Sequence, residues 1–397
     1  MNSGTIVTNA LNRCLLPVND YAQRDMAYGM LNEVVQSLWN ERRWRFRKSS
    51  FFFETASGQT EYILHKLANE ILMNTMRGND PVRRIRFRPS DELFKERPYD
   101  FESGDPHWYY DGEMVGVQVQ PSATSAIAIQ SSLANYTTGT ADVSYGRPFA
   151  LISTGVITLD MLGRFFRVGT DDKRYRIIKV YPTSAGSYRI DLDSPYEGTT
   201  SGSASYAIGD LGQKATVLGI LDNGSIYEEE IQLNGSSSVS TNATFSALIR
   251  ISKSDRTHGY ITATSNGAVV TNITLDPGET EADFRTIKMY MIPSKTERID
   301  YESYGKHPLL YKYNDTPLIP SGHHELIQLD LIIKLRTEFL NEDVAPSVLS
   351  RRKELFESLE SCDNDLSDWT IIPETQEESS NYRNTNLPNS YGHDDGF

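Results

Sequence analysis

The stretch Met26–Leu64, MAYGMLNEVVQSLWNERRWRFRKSSFFFETASGQTEYIL, runs from an amphipathic helix through a tryptophan–arginine corner into two extended runs. Ala27, Met30, Leu31, Val34, Val35 and Leu38 recur at steps of three and four, the spacing of one apolar helical stripe. Trp39 and Trp44 follow, interleaved with Arg42, Arg43, Arg45 and Arg47. Each indole, if buried, contributes roughly 2–3 kcal/mol and can anchor a core edge. Phe51, Phe52 and Phe53 open an extended run, Ser57-Gly58 supplies a turn, and Tyr62-Ile63-Leu64 returns, so a hairpin-like strand pair is expected. The rest of the chain reads as a support for this unit, or as insertions into it.

Outward from this unit, 397 residues suffice for two or three domains with cores. Hydrophobic residues at 38% and charged residues at 23% predict a soluble, ordered protein. A net charge of −14 argues against general coating of nucleic acid, which needs a basic surface. No apolar run reaches membrane-spanning length, and the opening MNSGTIVTNALNRCLLP lacks the pattern of a signal peptide. Two cysteines, Cys14 and Cys362, fit free thiols in a reducing cytoplasm better than a disulfide scaffold.

Upstream, Thr5 to Leu16 reads as a first helix with Ser3 as N-cap and Pro17 as its stop, and Asp20 caps the second. Arg84-Ile85-Arg86-Phe87-Arg88 alternates as one half-buried strand does. Beyond Gly112 helical periodicity disappears until about residue 322. Short alternating runs replace it, among them Val115–Val119, Phe165–Val168, Tyr175–Val180 and Phe245–Ile251, which signals an all-β region. It is read as one β-module nested in another, an outer one at 113–131 plus 212–284 and an inner one at 132–211. Helical spacing returns with Leu326, Leu329, Ile333 and Leu340, then Val348, Leu355, Phe356 and Leu359.

Trp44-Arg45-Phe46, Gly58-Gln59-Thr60-Glu61-Tyr62-Ile63-Leu64 and Asp315-Thr316-Pro317-Leu318-Ile319-Pro320 together resemble the head-to-tail adaptor (connector) proteins of tailed bacteriophages. His65 stands where that family usually has proline. The resemblance covers about residues 5–110 and 285–362. The fold class expected is α+β: a four-helix-bundle base from the two chain ends (1–112 and 285–362), a large all-β insertion (113–284) and a C-terminal arm (363–397). The resemblance implies a virion structural protein at the head–tail junction, assembled in the host cytoplasm. It would form a ring of about twelve copies under the portal and continue the DNA channel. The partners implied are further copies of itself, the portal protein and a downstream tail or nozzle protein, with DNA only in transit and no membrane. A sugar-binding or sugar-cleaving tail component is the alternative, suggested by the Ser/Thr-rich β region.

No catalytic, cofactor or metal site is expected. His323-His324-Glu325 lacks a second ligand motif at HExxH spacing and reads as a polar helix start. Asp363, Asp365, Ser367 and Glu374 have calcium-loop spacing, but Asp368 stands where that loop needs glycine. In Glu228-Glu229-Glu230 the outer two share a strand face, read as solvated. The arginine groups Arg42, Arg43, Arg45, Arg47 and Arg84, Arg86, Arg88 suit contacts with acidic protein surfaces better than DNA in so acidic a chain. The tail holds Trp369, Tyr382, Tyr391 and Phe397, spaced like anchors for an extended arm folding on a partner.

Overall fold

A computed structural model describes residues 1–363 except 73–74, 80–81, 91–102, 116–124, 154, 170, 185, 266–267, 270–273 and 282–283. The chain is mostly β. Helix α1 spans Ser3–Arg13 and helix α2 Tyr21–Asn40. The cap of α1 is Asn2, one residue before the expected Ser3, and its side chain accepts a hydrogen bond from Thr5 N. Asp20 caps α2 by accepting from the backbone N–H groups of Ala22 and Gln23. Helix α3 spans His324–Lys334 and runs on through a π-helical turn at Leu335–Phe339. The last helix among the described residues, α4, covers 346–363.

The four-helix-bundle base is corrected by what these helices pack against. Ile6, Val7, Leu11, Leu31, Val35, Leu326 and Leu331 share one buried core, but α4 contributes only Leu359 as a fully buried residue. Leu310 and Ile319, from the irregular segment 306–320, are buried in the same core, while Val348, Leu355 and Phe356 of α4 only pack against it. The segment 306–320 also holds the start of α1. Ser3 and Gly4 donate their backbone N–H groups to the carbonyls of Asp315 (2.7 Å) and Tyr313 (2.9 Å). A Cβ on Gly4 would lie 2.1 Å from the Tyr313 ring, so glycine is required at this crossing.

Beside the helical layer the chain ends build two sheets, not a hairpin. Lys48–Glu54 pairs antiparallel with Arg298–Gly305, whereas Glu61–Ile63 pairs with Phe284–Tyr290 in a second sheet. Gly58, at φ +79°, makes the turn that carries the chain across. The Tyr62 hydroxyl closes it by donating to Gln59 O at 2.8 Å. Phe51, Phe53, Tyr62, Tyr109, Ile287 and Tyr301 pack between the two sheets. The run 84–88 is likewise divided: Val82–Arg84 joins the first sheet and Arg86–Phe87 the second, with Ile85 buried between them.

Two further sheets fill the middle of the chain. The seven-stranded one takes strands from Thr140–Val143 to Tyr206–Gly209. Its edge strands, Ser201–Ala204 and Tyr206–Gly209, are consecutive in the chain, so the sheet rolls up around Phe166, Ile177, Ile190 and Tyr196. The six-stranded sheet takes Ser125–Ser131 from before that barrel and Leu211–Leu221, Ile226–Asn234, Val239–Lys253, Ile261–Ser265 and Ala268–Val269 from after it. Helix α2 touches the barrel at its N-terminus, where Asp20 pairs with Lys179 at 3.3 Å.

Candidate partner interface

The tryptophan corner is built from both chain ends. Trp39 donates from Nε1 to Gly305 O and Trp44 to Leu38 O, both at 2.8 Å, and both rings are buried. Phe46 stacks on Trp44, Phe356 of α4 meets Trp44 edge-on, and His307 meets Trp39 edge-on at 5.0 Å. Arg47 turns inward: it is 7% exposed and donates to the Trp39 carbonyl at 2.7 Å, and burial lowers its pKa. Arg42 lies over the Trp44 ring and pairs with Glu360 at 3.1 Å. The Arg45 backbone N–H is capped by the Asp363 carboxylate at 2.8 Å, across 318 positions of sequence. Arg43 is the most outward of the four and pairs with Glu70. The last described residue of α4 is thereby fastened beside the arginine-rich corner.

The second arginine group is not one patch. Arg84 and Arg86 are exposed but belong to different sheets, and Arg88 is half-buried over Trp108. Arg83, at the start of that arginine-rich run, turns inward and pairs with Glu297 at 2.8 Å. Trp369, Tyr382, Tyr391 and Phe397, with the remainder of the arm and most of the calcium-like spacing, lie outside the described residues.

The strand Lys48–Glu54 is the first sheet's edge: among the described residues it pairs on one side only, with Arg298–Gly305. Phe51 and Phe53 face the core, and Phe52 points out, 53% exposed beneath the Arg298 guanidinium at 4.1 Å. A seven-residue edge carrying an exposed ring can be extended by a neighbouring chain.

Several polar side chains do internal work that local patterns did not reveal. Glu229 is buried and accepts from Asn242 N, Asn242 Nδ2 and Ala243 N at 2.7–3.0 Å, holding the bulge in Val239–Lys253. Asp210 sits where the chain leaves the barrel and accepts from Ser131 Oγ, His258 N and Gly259 N at 2.7–2.8 Å. Burial alone would raise its pKa, but those donors and the His258 imidazole pull it down to about 2. His324 bonds through Nε2 to Ile319 O at 2.8 Å, a helix-start contact. Among the described residues no group of three or more His, Cys, Asp or Glu is arranged to hold a metal. Cys14 lies buried in the helical core and Cys362 is exposed.

No protein-family model matches the chain, and no curated protein matches it. Among solved structures, the D1–D3 domains of the flagellar cap protein FliD from Escherichia coli align over 83% of this chain and 75% of their own. The alignment has 9% identity and a TM-score of 0.10, too slight an overlap to speak to fold or function.

Proposed function

We propose that the chain is a head-to-tail adaptor of a tailed bacteriophage, a non-catalytic virion component that assembles as a ring beneath the portal. The observation that carries the reading is the junction at Asp363. There the end of α4 caps Arg45 and pairs with Arg42, so the following acidic, aromatic-spaced segment begins at the same corner as the adaptor-like Trp44-Arg45-Phe46. A ring closed by heterologous contacts needs two different faces on each copy. The edge strand Lys48–Glu54 offers one of them. Among the described residues the exposed tyrosines of the β region do not share one strand or turn, which gives the sugar-binding alternative no support: Tyr145 lies in a turn of the barrel, Tyr227 on the strand Ile226–Asn234 and Tyr260 in the loop before Ile261–Ser265.

The test is removal of residues 368–397 followed by co-sedimentation with the portal protein. The reading expects the truncated chain to keep its melting temperature and lose portal binding. Undiminished binding would contradict the role given to the arm.

A further inference from the structure

A cavity of about 290 Å³ lies where α2, the barrel, the six-stranded sheet and the segment 311–314 converge. Its walls carry five cations, Arg24, Arg164, Arg176, Arg256 and Lys312, against three carboxylates, Asp25, Asp160 and Asp255. The carboxylates are committed: Asp160 pairs with Arg164, Asp255 with Arg176, and Asp25 with Arg256 at 2.8 Å. Arg24 and Lys312 are left with no carboxylate partner among the described residues. Arg24 is 3% exposed and has only neutral company: Thr8 Oγ1 at 3.2 Å, Val18 O at 3.5 Å, and the rings of Tyr28 and Tyr313 about 6 Å away. The Lys312 ammonium stands 3.9 Å over the Tyr260 ring.

Burying a guanidinium costs several kcal/mol, and a cation–π contact returns about 0.5–2 kcal/mol. In a chain of net charge −14, two cations that line one cavity with no ion-pair partner among the described residues, Arg24 from α2 and Lys312 from the segment that Asp315 caps by accepting from Lys312 N, favour negative charge there. A phosphoryl group carries about −1.5 to −2 at neutral pH and suits a guanidinium–ammonium pair. Tyr21, Tyr28, Tyr311 and Tyr313 also line the cavity, with guanidinium groups over their rings, and supply the aromatic surface for the rest of a ligand. The Tyr21 ring reaches the cavity because residue 163 is glycine: at φ +81°, a Cβ there would stand 2.4 Å from it.

We propose that this cavity binds a phosphate monoester bearing a planar ring, of nucleoside monophosphate size, with Arg24 and Lys312 as its anion contacts. Because its walls come from separate parts of the fold, the ligand would lock the barrel and the six-stranded sheet against α2. The proposal does not rest on the adaptor reading and is tested on the purified full chain without a portal.

Isothermal titration calorimetry at low salt, with thermal melting in parallel, would compare adenosine monophosphate, inorganic phosphate and adenosine. Adenosine monophosphate is expected to bind and raise the melting temperature, and adenosine alone should not bind. Lys312→Met, on a half-buried loop position, should keep the unliganded melting temperature and weaken binding about tenfold. Arg24→Met should weaken it further. Absence of binding by adenosine monophosphate, or equal affinity in the parent and both variants, would overturn the site. Inorganic phosphate binding as tightly as the nucleotide would overturn the part given to the tyrosines.

Discussion

Asp210 and His307 are two buried groups whose protonation costs stability, at Asp210 by removing a hydrogen-bonded charge and at His307 by creating a buried one. Replacing Asp210 with Ala leaves the Ser131 hydroxyl and two backbone N–H groups without their acceptor, an expected loss of about 3 kcal/mol in denaturant unfolding. With a folded pKa of about 2, below the ordinary carboxylate value, Asp210 stabilises fully above about pH 4. That contribution, on the order of 2 kcal/mol, is lost as the pH falls towards 2. His307 is 3% exposed, and burial pushes its pKa down to about 4, opposed by its bond to Pro308 O. Its Nε2 accepts from Leu318 N at 2.9 Å, so the neutral ring with the proton on Nδ1 fits both partners. The unfolded chain takes up the proton near pH 6.5 and the folded one only near 4, so stability falls as the pH drops through that window. Unfolding midpoints between pH 7 and 4 should show the loss, up to ~3 kcal/mol, and His307→Gln should flatten it. None of this was legible in the sequence. Strand alternation did place Glu228 and Glu230 on one face, but it could not say which face would be buried. The acid that works inside is Glu229, because its acceptors face a bulge fourteen positions or fewer away on the next strand.

At the scale of elements, the helices were legible because a 3.6-residue stripe is a local signal. The stripe of Ala27, Leu31, Val35 and Leu38 is buried as spaced. Strand pairing is not local. Phe51–Phe53 and Tyr62–Leu64 carry the same β-propensity whether they pair with each other or with strands more than 200 residues away, and the second arrangement occurs. The four-helix expectation failed for a related reason: Leu310 and Ile319 sit in a segment without periodicity, yet they are buried in the helical core. The edge strand gives a further prediction. Phe52→Ala should change the monomer's stability by less than about 1 kcal/mol, since the ring is half exposed. It should weaken self-association about thirtyfold, the effect of losing a contact of about 2 kcal/mol, measured by sedimentation velocity over a dilution series.

For the whole molecule, Trp108–Val115 and Phe284–Tyr290 pair antiparallel as far as Val115↔Phe284, with one register shift between Arg285 and Ile287. The two points where the chain leaves for the middle sheets and returns are therefore neighbours on adjacent strands. Replacing 116–283 with an Asn-Gly turn should leave a chain with one cooperative thermal transition. It should be less stable than the parent, because the Asp20–Lys179, Asp25–Arg256 and Lys66–Asp276 pairs are lost. The change of composition beyond Gly112 was visible in the sequence, whereas this pairing of its two borders depends on long-range register. The most direct measurement of the adaptor account is negative-stain microscopy of the full-length protein mixed with its portal. The account predicts a closed ring of about twelve copies seated coaxially on the portal. Particles that remain single copies, with the portal bare at concentrations where adaptors assemble, would contradict it.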